Sequence, residues 1–126
     1  MMFYIEVLFV GLYCIFIYLY VTMFINIQNK TLLLFIIGFI KHLFGYILNF
    51  QQYYCNCIYF NQQYFTLFLE CILEGFLFIL LGNCLSFIIK NNFLLFFVIG
   101  IILHVLFEVI GFHSLFCKIK CRPVNI

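Results

Sequence analysis

The sequence predicts an all-α integral membrane protein whose four transmembrane helices form two tandem helical hairpins. Two observations predict the membrane location: 68% of the 126 residues are apolar and 8% are charged, and the mean hydropathy is +1.26. Soluble domains carry about 25% charged residues, so this chain has too little polar surface to cover a water-soluble globule. A third observation, an internal repeat, predicts the two hairpins.

Four apolar stretches are long enough to cross a bilayer, which requires roughly 20 apolar residues in a helix. They cover about residues 3–25, 31–50, 64–89 and 93–116, and we expect helices over about 5–24, 32–50, 65–88 and 93–115. Because lipid offers no hydrogen-bonding partners, each stretch has to satisfy its own backbone as a helix. Four spans put both termini on one side. Three basic residues on that side against two on the other leave the orientation open.

The second and fourth stretches match when the chain is offset by 62 residues. The uncommon residues that coincide are Gly38 with Gly100, His42 with His104, and Cys55 with Cys117. The first and third stretches match more loosely, with Glu6 falling on Glu70 at an offset of 64. A duplicated hairpin predicts repeats of about 3–57 and 64–121 related by a two-fold axis along the membrane normal. A chance match in a biased composition is the alternative.

Ionisable side chains inside the stretches are the strongest indication of a site, because charges are costly in lipid and those retained there are usually functional. They predict a buried polar cluster or proton relay of Lys41, His42, Glu70, Glu74, His104 and Glu108. The acidic residues, including Glu6, gather in the half of the bundle nearest the terminal cysteines. We expect Lys41, the one cation at that depth, to pair with Glu74, Glu70 or Glu108.

Small residues accompany the polar ones on two helix faces, a pattern typical of closely packed membrane helices. The two stripes, expected to face one another, are Gly38, His42, Gly45, Asn49 and Gly100, His104, Glu108, Gly111. Three interpretations stay open: structural contacts without a ligand, a proton or ion relay, or a metal or haem site. His42 and His104 are the candidate metal ligands, since two histidines at one depth suit bis-histidine haem. The leading expectation is no cofactor.

Cysteines at the ends of the spans predict a disulfide or thiol cluster. They are Cys55, Cys57, Cys117 and Cys121. On an oxidising face of the membrane, disulfides between them would tie the hairpins together. On a reducing face, the thiols would stay unpaired or bind metal. Cys14, Cys71 and Cys84 lie inside apolar runs, where cysteine usually acts as a small buried apolar residue.

Two resemblances to known families add expectations. A pattern across most of the chain resembles uncharacterised four-span membrane proteins of large DNA viruses, a likeness that implies no activity. Its residues are Gly38, Lys41, His42, Gly45, Tyr46, Cys55, Glu74, Gly75, His104, Glu108, Gly111, His113 and Cys117. The segments around Glu70 and Glu108 resemble the glutamate-bearing helices of the NuoK-type small membrane subunit of NADH dehydrogenase. That likeness implies proton translocation through both glutamates, although the extra first helix and the duplication depart from the family.

The leading functional expectation is a structural or assembly component of a membrane or membrane complex, without catalytic activity of its own. The alternatives are a proton-relay subunit of a respiratory complex and a haem or metal redox membrane protein. The expected partners are the lipid bilayer and other membrane subunits. A net charge of +2 is too small for nucleic-acid binding. The expected location is a membrane, with the mitochondrial inner membrane or a viral or host membrane suspected.

Overall fold

The computed structural model of the chain describes residues 2–56 and 60–121, and these residues form six helices and no strand. The helices are α1 Met2–Phe24, α2 Lys30–Ile47, α3 Phe50–Cys55, α4 Tyr64–Leu85, α5 Asn92–Val109 and α6 Phe112–Lys120. Among them α1, α2, α4 and α5 are long and apolar enough to cross a membrane. This confirms the all-helical fold class and the four predicted membrane-length helices.

The predicted second and fourth spans are shorter than expected because each ends in a backbone break. Asn49 (φ 62°) separates α2 from α3, and Gly111 (φ 83°) separates α5 from α6. A left-handed residue cannot continue a right-handed helix, and Asn and Gly adopt this conformation more readily than other residues. The expectation of unbroken helices to residues 50 and 115 was therefore wrong. Asn49 and Gly111 are breaks, not members of packing stripes.

The helices α2 and α5 begin with the same kind of cap. The side chain of Asn29 accepts a hydrogen bond from the Leu32 N–H at 3.2 Å, and Asn91 accepts one from the Leu94 N–H at 3.2 Å. Each asparagine satisfies an N–H that has no partner inside its helix. The two caps are 62 residues apart, so local structure repeats at the same offset as the sequence.

The long helices pack as two tight pairs, α1 with α5 and α2 with α4, and looser α1–α2 and α4–α5 contacts complete the bundle. Glycines allow the tight pairs to form. A Cβ added at Gly38 would lie 2.8 Å from the carbonyl oxygen of Glu74, and one added at Gly100 would lie 3.2 Å from that of Val10. The stripes on α2 and α5 thus each face a helix of the other hairpin. The expectation that they face one another was wrong.

The bundle has an apolar half and a polar half. The apolar half lies toward the 25–29 and 86–91 connections, where almost fully buried side chains include Ile17, Val21, Leu34, Phe78, Leu95 and Phe96. The polar half lies toward α3 and α6. On the outside, large apolar side chains of α1 and α4, such as Phe16 and Phe76, are each 58% exposed. Apolar surface on this scale is typical of faces that contact lipid or other proteins.

Candidate functional site

The residues predicted as one polar cluster form two clusters, one for each tight helix pair. The α2–α4 cluster consists of Lys41, His42, Glu70, Glu74 and Lys120. The α1–α5 cluster consists of Glu6, Tyr54, His104, Glu108 and His113. In each tight helix pair, one histidine therefore contacts carboxylates that belong to the same pair of helices.

Glu74 is the centre of the α2–α4 cluster and is only 7% exposed. The Lys41 ammonium donates a hydrogen bond to one of its carboxylate oxygens, and His42 Nδ1 lies 2.7 Å from the other. This confirms the predicted pairing of Lys41 with a glutamate. A buried carboxylate needs both a counter-charge and hydrogen-bond donors, and the adjacent Gly38 lets α2 approach closely enough to supply them.

Lys120, from α6, completes this cluster. Its Nζ lies 3.1 Å from Glu70 Oε2, while His42 Nε2 lies 3.3 Å from Glu70 Oε1. Lys120 is 5% exposed, although in the sequence it stands in a polar tail. The positive charges of the two lysines therefore balance the negative charges of the two carboxylates. Such a balanced, buried set of ion pairs is typical of a structural contact between helices.

The short helices carry aromatic side chains across to the histidine of the opposite hairpin. Tyr54 of α3 lies against His104, with ring centroids 5.1 Å apart, and Phe116 of α6 lies against His42 at 6.5 Å. Tyr54 and Phe116 are 62 residues apart. Each hairpin thus places an aromatic side chain of its short helix against the histidine of the other hairpin.

A disulfide joins Cys55 of α3 to Cys117 of α6. Of the alternatives that the sequence leaves open for these cysteines, the structure shows the disulfide-bonded one for this pair. Cys121 is also disulfide-bonded, whereas Cys57 lies outside the described residues. The disulfide fastens the two hairpins at the polar end of the bundle. Of the remaining cysteines, Cys14 and Cys71 are buried free thiols as expected, while Cys84 is exposed.

The α1–α5 cluster is built around His104, whose side chain is 9% exposed. The Tyr54 hydroxyl donates to Glu108, and its oxygen lies 3.2 Å from His104 Nε2. Glu6 Oε2 lies 3.7 Å from the same nitrogen, and His113 Nε2 lies 3.8 Å from Glu108 Oε1. Within the described ranges, neither glutamate is paired with a lysine or arginine. In the described part of the chain, this cluster therefore differs from the first in having no lysine or arginine that balances its carboxylates.

Two members of the α1–α5 cluster lie outside the membrane-length helices, and their ionisation is shifted. Burial raises the pKa of the Tyr54 hydroxyl, and the hydrogen bond to Glu108 raises it further. Tyr54 therefore keeps its proton at neutral pH and remains a donor. Burial lowers the pKa of His113, and the negative charge of Glu108 opposes this shift. The His113 ring is therefore mainly neutral at pH 7, so that one of its two nitrogens carries a lone pair.

The sequence patterns predict no role in a polar cluster for Tyr54, Lys120 or His113. All three belong to α3 and α6, whose directions depend on the breaks at Asn49 and Gly111. Helical spacing alone cannot connect residues on opposite sides of such a break. A comparison of the two repeats offers a partial signal, because Tyr54 and Phe116 occupy matching aromatic positions.

The two histidines differ in their capacity to bind a metal. Both ring nitrogens of His42 face carboxylates of Glu70 and Glu74, so a haem iron would have to displace one of these contacts. The bis-histidine arrangement considered from the sequence is therefore not favoured. In the α1–α5 cluster, ligand atoms of Glu6, His104 and Glu108 all lie within 4.8 Å of one another. This group is the better candidate for holding a cation.

No protein-family model, curated protein or solved structure matches the chain.

Proposed function

We propose that the protein is an integral membrane protein with a structural or assembly role in a membrane or membrane complex. The observation that carries this proposal is the division of the bundle into two halves. Among the described residues the buried charged side chains are Glu74 and Lys120, both in the α2–α4 cluster, whereas the core around Leu34, Leu95 and Phe96 is built of apolar side chains. A channel or relay across the membrane needs a continuous polar path. A core of packed apolar side chains, fastened by the Cys55–Cys117 disulfide, instead favours a rigid protein with a structural role.

Helix dimensions support insertion in a bilayer. At 1.5 Å per residue, α4 with 22 residues is about 33 Å long and α5 with 18 residues about 27 Å. A hydrocarbon core is about 30 Å thick. The exposed apolar faces of α1 and α4 would contact lipid and neighbouring subunits, while the charged residues inside the bundle meet one another.

We propose in addition that the hairpins arose by duplication and are related by a two-fold axis along the membrane normal. Matching contacts support this relation: a Cβ at Gly11 would lie 2.7 Å from the Phe97 ring, and one at Gly75 would lie 2.7 Å from the Phe35 ring. The disulfide also joins residues at equivalent repeat positions. An experimental structure in which α1–α2 does not superpose on α4–α5 would remove this proposal.

The disulfide supports a definite orientation. Disulfides persist in oxidising compartments, so the end bearing Cys55 and Cys117 would face the exterior, a lumen or a periplasm-like space. Lys30 and Lys90 would then lie on the reducing side, where flanking basic residues are usually found. Lys120 lies at the other end of the bundle, but it is buried in the α2–α4 cluster and does not flank the membrane as an exposed charge.

A proton relay is the second candidate, and the connected groups of the α1–α5 cluster favour it. Tyr54 contacts both His104 and Glu108, so protons could move among these three side chains. Glu70 and Glu108, the pair implied by the NuoK-type likeness, belong to different clusters. Reconstituted vesicles with an imposed proton gradient separate the candidates, because a structural component leaves the gradient intact while a relay that spans the membrane dissipates it.

Photo-crosslinking in native membranes tests the structural role. A photoreactive amino acid in place of Phe16 or Phe76 reports on the outer faces of α1 and α4. The same photoreactive amino acid in place of the buried Phe78 is the matched control, because it faces the interior of the bundle. We expect at least one outer face to give a discrete protein adduct of constant mass, and deletion of the chain to lower the yield of the assembly that contains that protein. Adducts with lipid alone at both faces, or an unaffected assembly, would contradict the proposal.

A further inference from the structure

The α1–α5 cluster contains two carboxylates that no lysine or arginine of residues 2–56 and 60–121 balances. Glu6 comes from α1 and Glu108 from α5, and ligand atoms of both lie within 4.8 Å of each other and of a His104 ring nitrogen. Two carboxylates this close repel one another when ionised, and the low dielectric of a protein interior strengthens the repulsion. Their proximity in a partly buried site therefore calls for a positive charge.

The α2–α4 cluster supplies that charge with its own lysines, whereas the described part of the chain places no lysine or arginine against the carboxylates of the α1–α5 cluster. The repeat offset of 62 places Leu103 where the first hairpin has Lys41. Glu70 and Glu74 are paired with Lys120 and Lys41, whereas the described residues offer Glu6 and Glu108 only histidine and tyrosine. Lysines thus neutralise the carboxylates of the α2–α4 cluster, whereas those of the α1–α5 cluster have no such partner among the described residues and can accept an external cation.

We propose that Glu6, His104 and Glu108 bind a divalent transition-metal ion, with His113 as a fourth ligand. This inference is independent of the structural role proposed above. Imidazole nitrogen together with carboxylate oxygen suits zinc, manganese, iron and cobalt, whereas calcium and magnesium prefer sites made of oxygen alone. His113 Nε2 lies 3.8 Å from Glu108 Oε1, but His113 lies outside the group whose ligand atoms are all within 4.8 Å of one another, so its side chain would have to move to enter the coordination shell.

The geometry also provides an entry path and an outer shell. The Glu6 side chain is 38% exposed and the Glu108 side chain 29%, while His104 at 9% forms the inner wall. A cation can therefore enter from the polar end of the bundle. The Tyr54 hydroxyl donates a hydrogen bond to Glu108, and such a bond to a ligating carboxylate orients the carboxylate for the metal.

Cobalt(II) titration of the purified full-length chain tests the site. The chain is stripped of metal with a chelator in detergent or nanodiscs, and binding is followed by the visible absorption of cobalt and by displacement with zinc. We expect a single saturable site on which zinc displaces cobalt. The titration is repeated with Cys84→Ser, because an exposed free thiol can itself bind cobalt, and the two proteins should give the same spectrum.

Isosteric variants locate the site. Glu6→Gln and Glu108→Gln should each weaken binding at least about 10-fold, a loss already caused by changes in the partners of metal ligands. Glu70→Gln, in the α2–α4 cluster, is the matched control and should bind as the wild type does. All variants are compared only after helix content and the Cys55–Cys117 disulfide are verified. The proposal is wrong if the folded wild type binds neither cobalt nor zinc, if both variants bind like wild type, or if Glu70→Gln loses the same affinity.

Discussion

The carbonyl oxygen of Glu74 lies 2.8 Å from the position that a Cβ of Gly38 would occupy. The helices α2 and α4 therefore meet backbone to backbone, one turn from the ion pair of Lys41 and Glu74. This close approach makes the buried network possible, because a wider helix separation would leave the Lys41 ammonium and the His42 ring short of the Glu74 carboxylate.

Replacing Gly38 with alanine should separate α2 from α4. The added methyl group meets backbone, which cannot rotate away as a side chain can, so we expect a loss of about 1–3 kcal/mol in unfolding free energy. Gly45→Ala is the matched control, since a Cβ there meets the Gln51 side chain at an ordinary 3.8 Å. Thermal unfolding in detergent compares the two, and a Gly38→Ala protein as stable as Gly45→Ala would contradict the packing described.

Lys41→Met should destabilise the bundle because it leaves Glu74 buried without its cation. Removing one partner of a buried ion pair costs about 3–5 kcal/mol. The double variant Lys41→Met with Glu74→Met should cost less than the sum of the single changes, because it removes both charges together. Lys30→Met, at an exposed helix end, should have little effect. A double-mutant cycle from equilibrium unfolding measures the coupling, and strictly additive changes would show that the pair does not interact.

Cys55→Ser should lower stability and leave Cys117 open to alkylation. A disulfide closing a loop across a separation of 62 residues contributes up to about 4 kcal/mol in the chain-entropy model. The contribution should be smaller here, because helices that remain in the bilayer already restrict the unfolded chain. Thiol alkylation followed by mass spectrometry detects the freed Cys117, whereas Cys84→Ser should leave the disulfide and the stability unchanged.

The free thiol of Cys84 also tests the orientation. It is exposed near the end opposite the disulfide, so a membrane-impermeant maleimide should label it only from the reducing side of sealed vesicles. Labelling of intact cells or right-side-out vesicles from the oxidising side would reverse the proposed orientation. Permeabilised vesicles, in which both sides are open, control for reactivity.

Gly111→Ala should cost about 1–2 kcal/mol, because its left-handed backbone strains any residue with a Cβ. Nothing lies within 4 Å of the Cβ position, so the cost is purely conformational. Gly111→Asn should cost less, and Asn49→Gly should be tolerated or mildly stabilising, because glycine adopts φ near 62° without strain. Equal stability of Gly111→Ala and wild type would mean that α6 can leave its position without loss.

The sequence by itself determined the helical class, the number of membrane-length helices and the pairing of Lys41 with a glutamate. These follow from composition, from the length of apolar runs and from the cost of a lone charge in lipid, all of which are readable along the chain. It also placed Cys55, Cys57, Cys117 and Cys121 at one end of the bundle as candidates for disulfides, but it determined neither their pairing nor their oxidation state.

The tertiary structure decided how the polar residues divide. Helix α2 packs on α4 and α5 on α1, a choice that depends on shape complementarity at Gly38 and Gly100 and is not encoded in spacing along one helix. The backbone breaks at Asn49 and Gly111 then direct α3 and α6 across the bundle and bring Tyr54, His113 and Lys120 into the clusters. Because a left-handed residue changes the direction of the chain, helical periodicity in the sequence does not extend across it. Only the folded arrangement therefore reveals which carboxylates of the described residues are paired with a lysine.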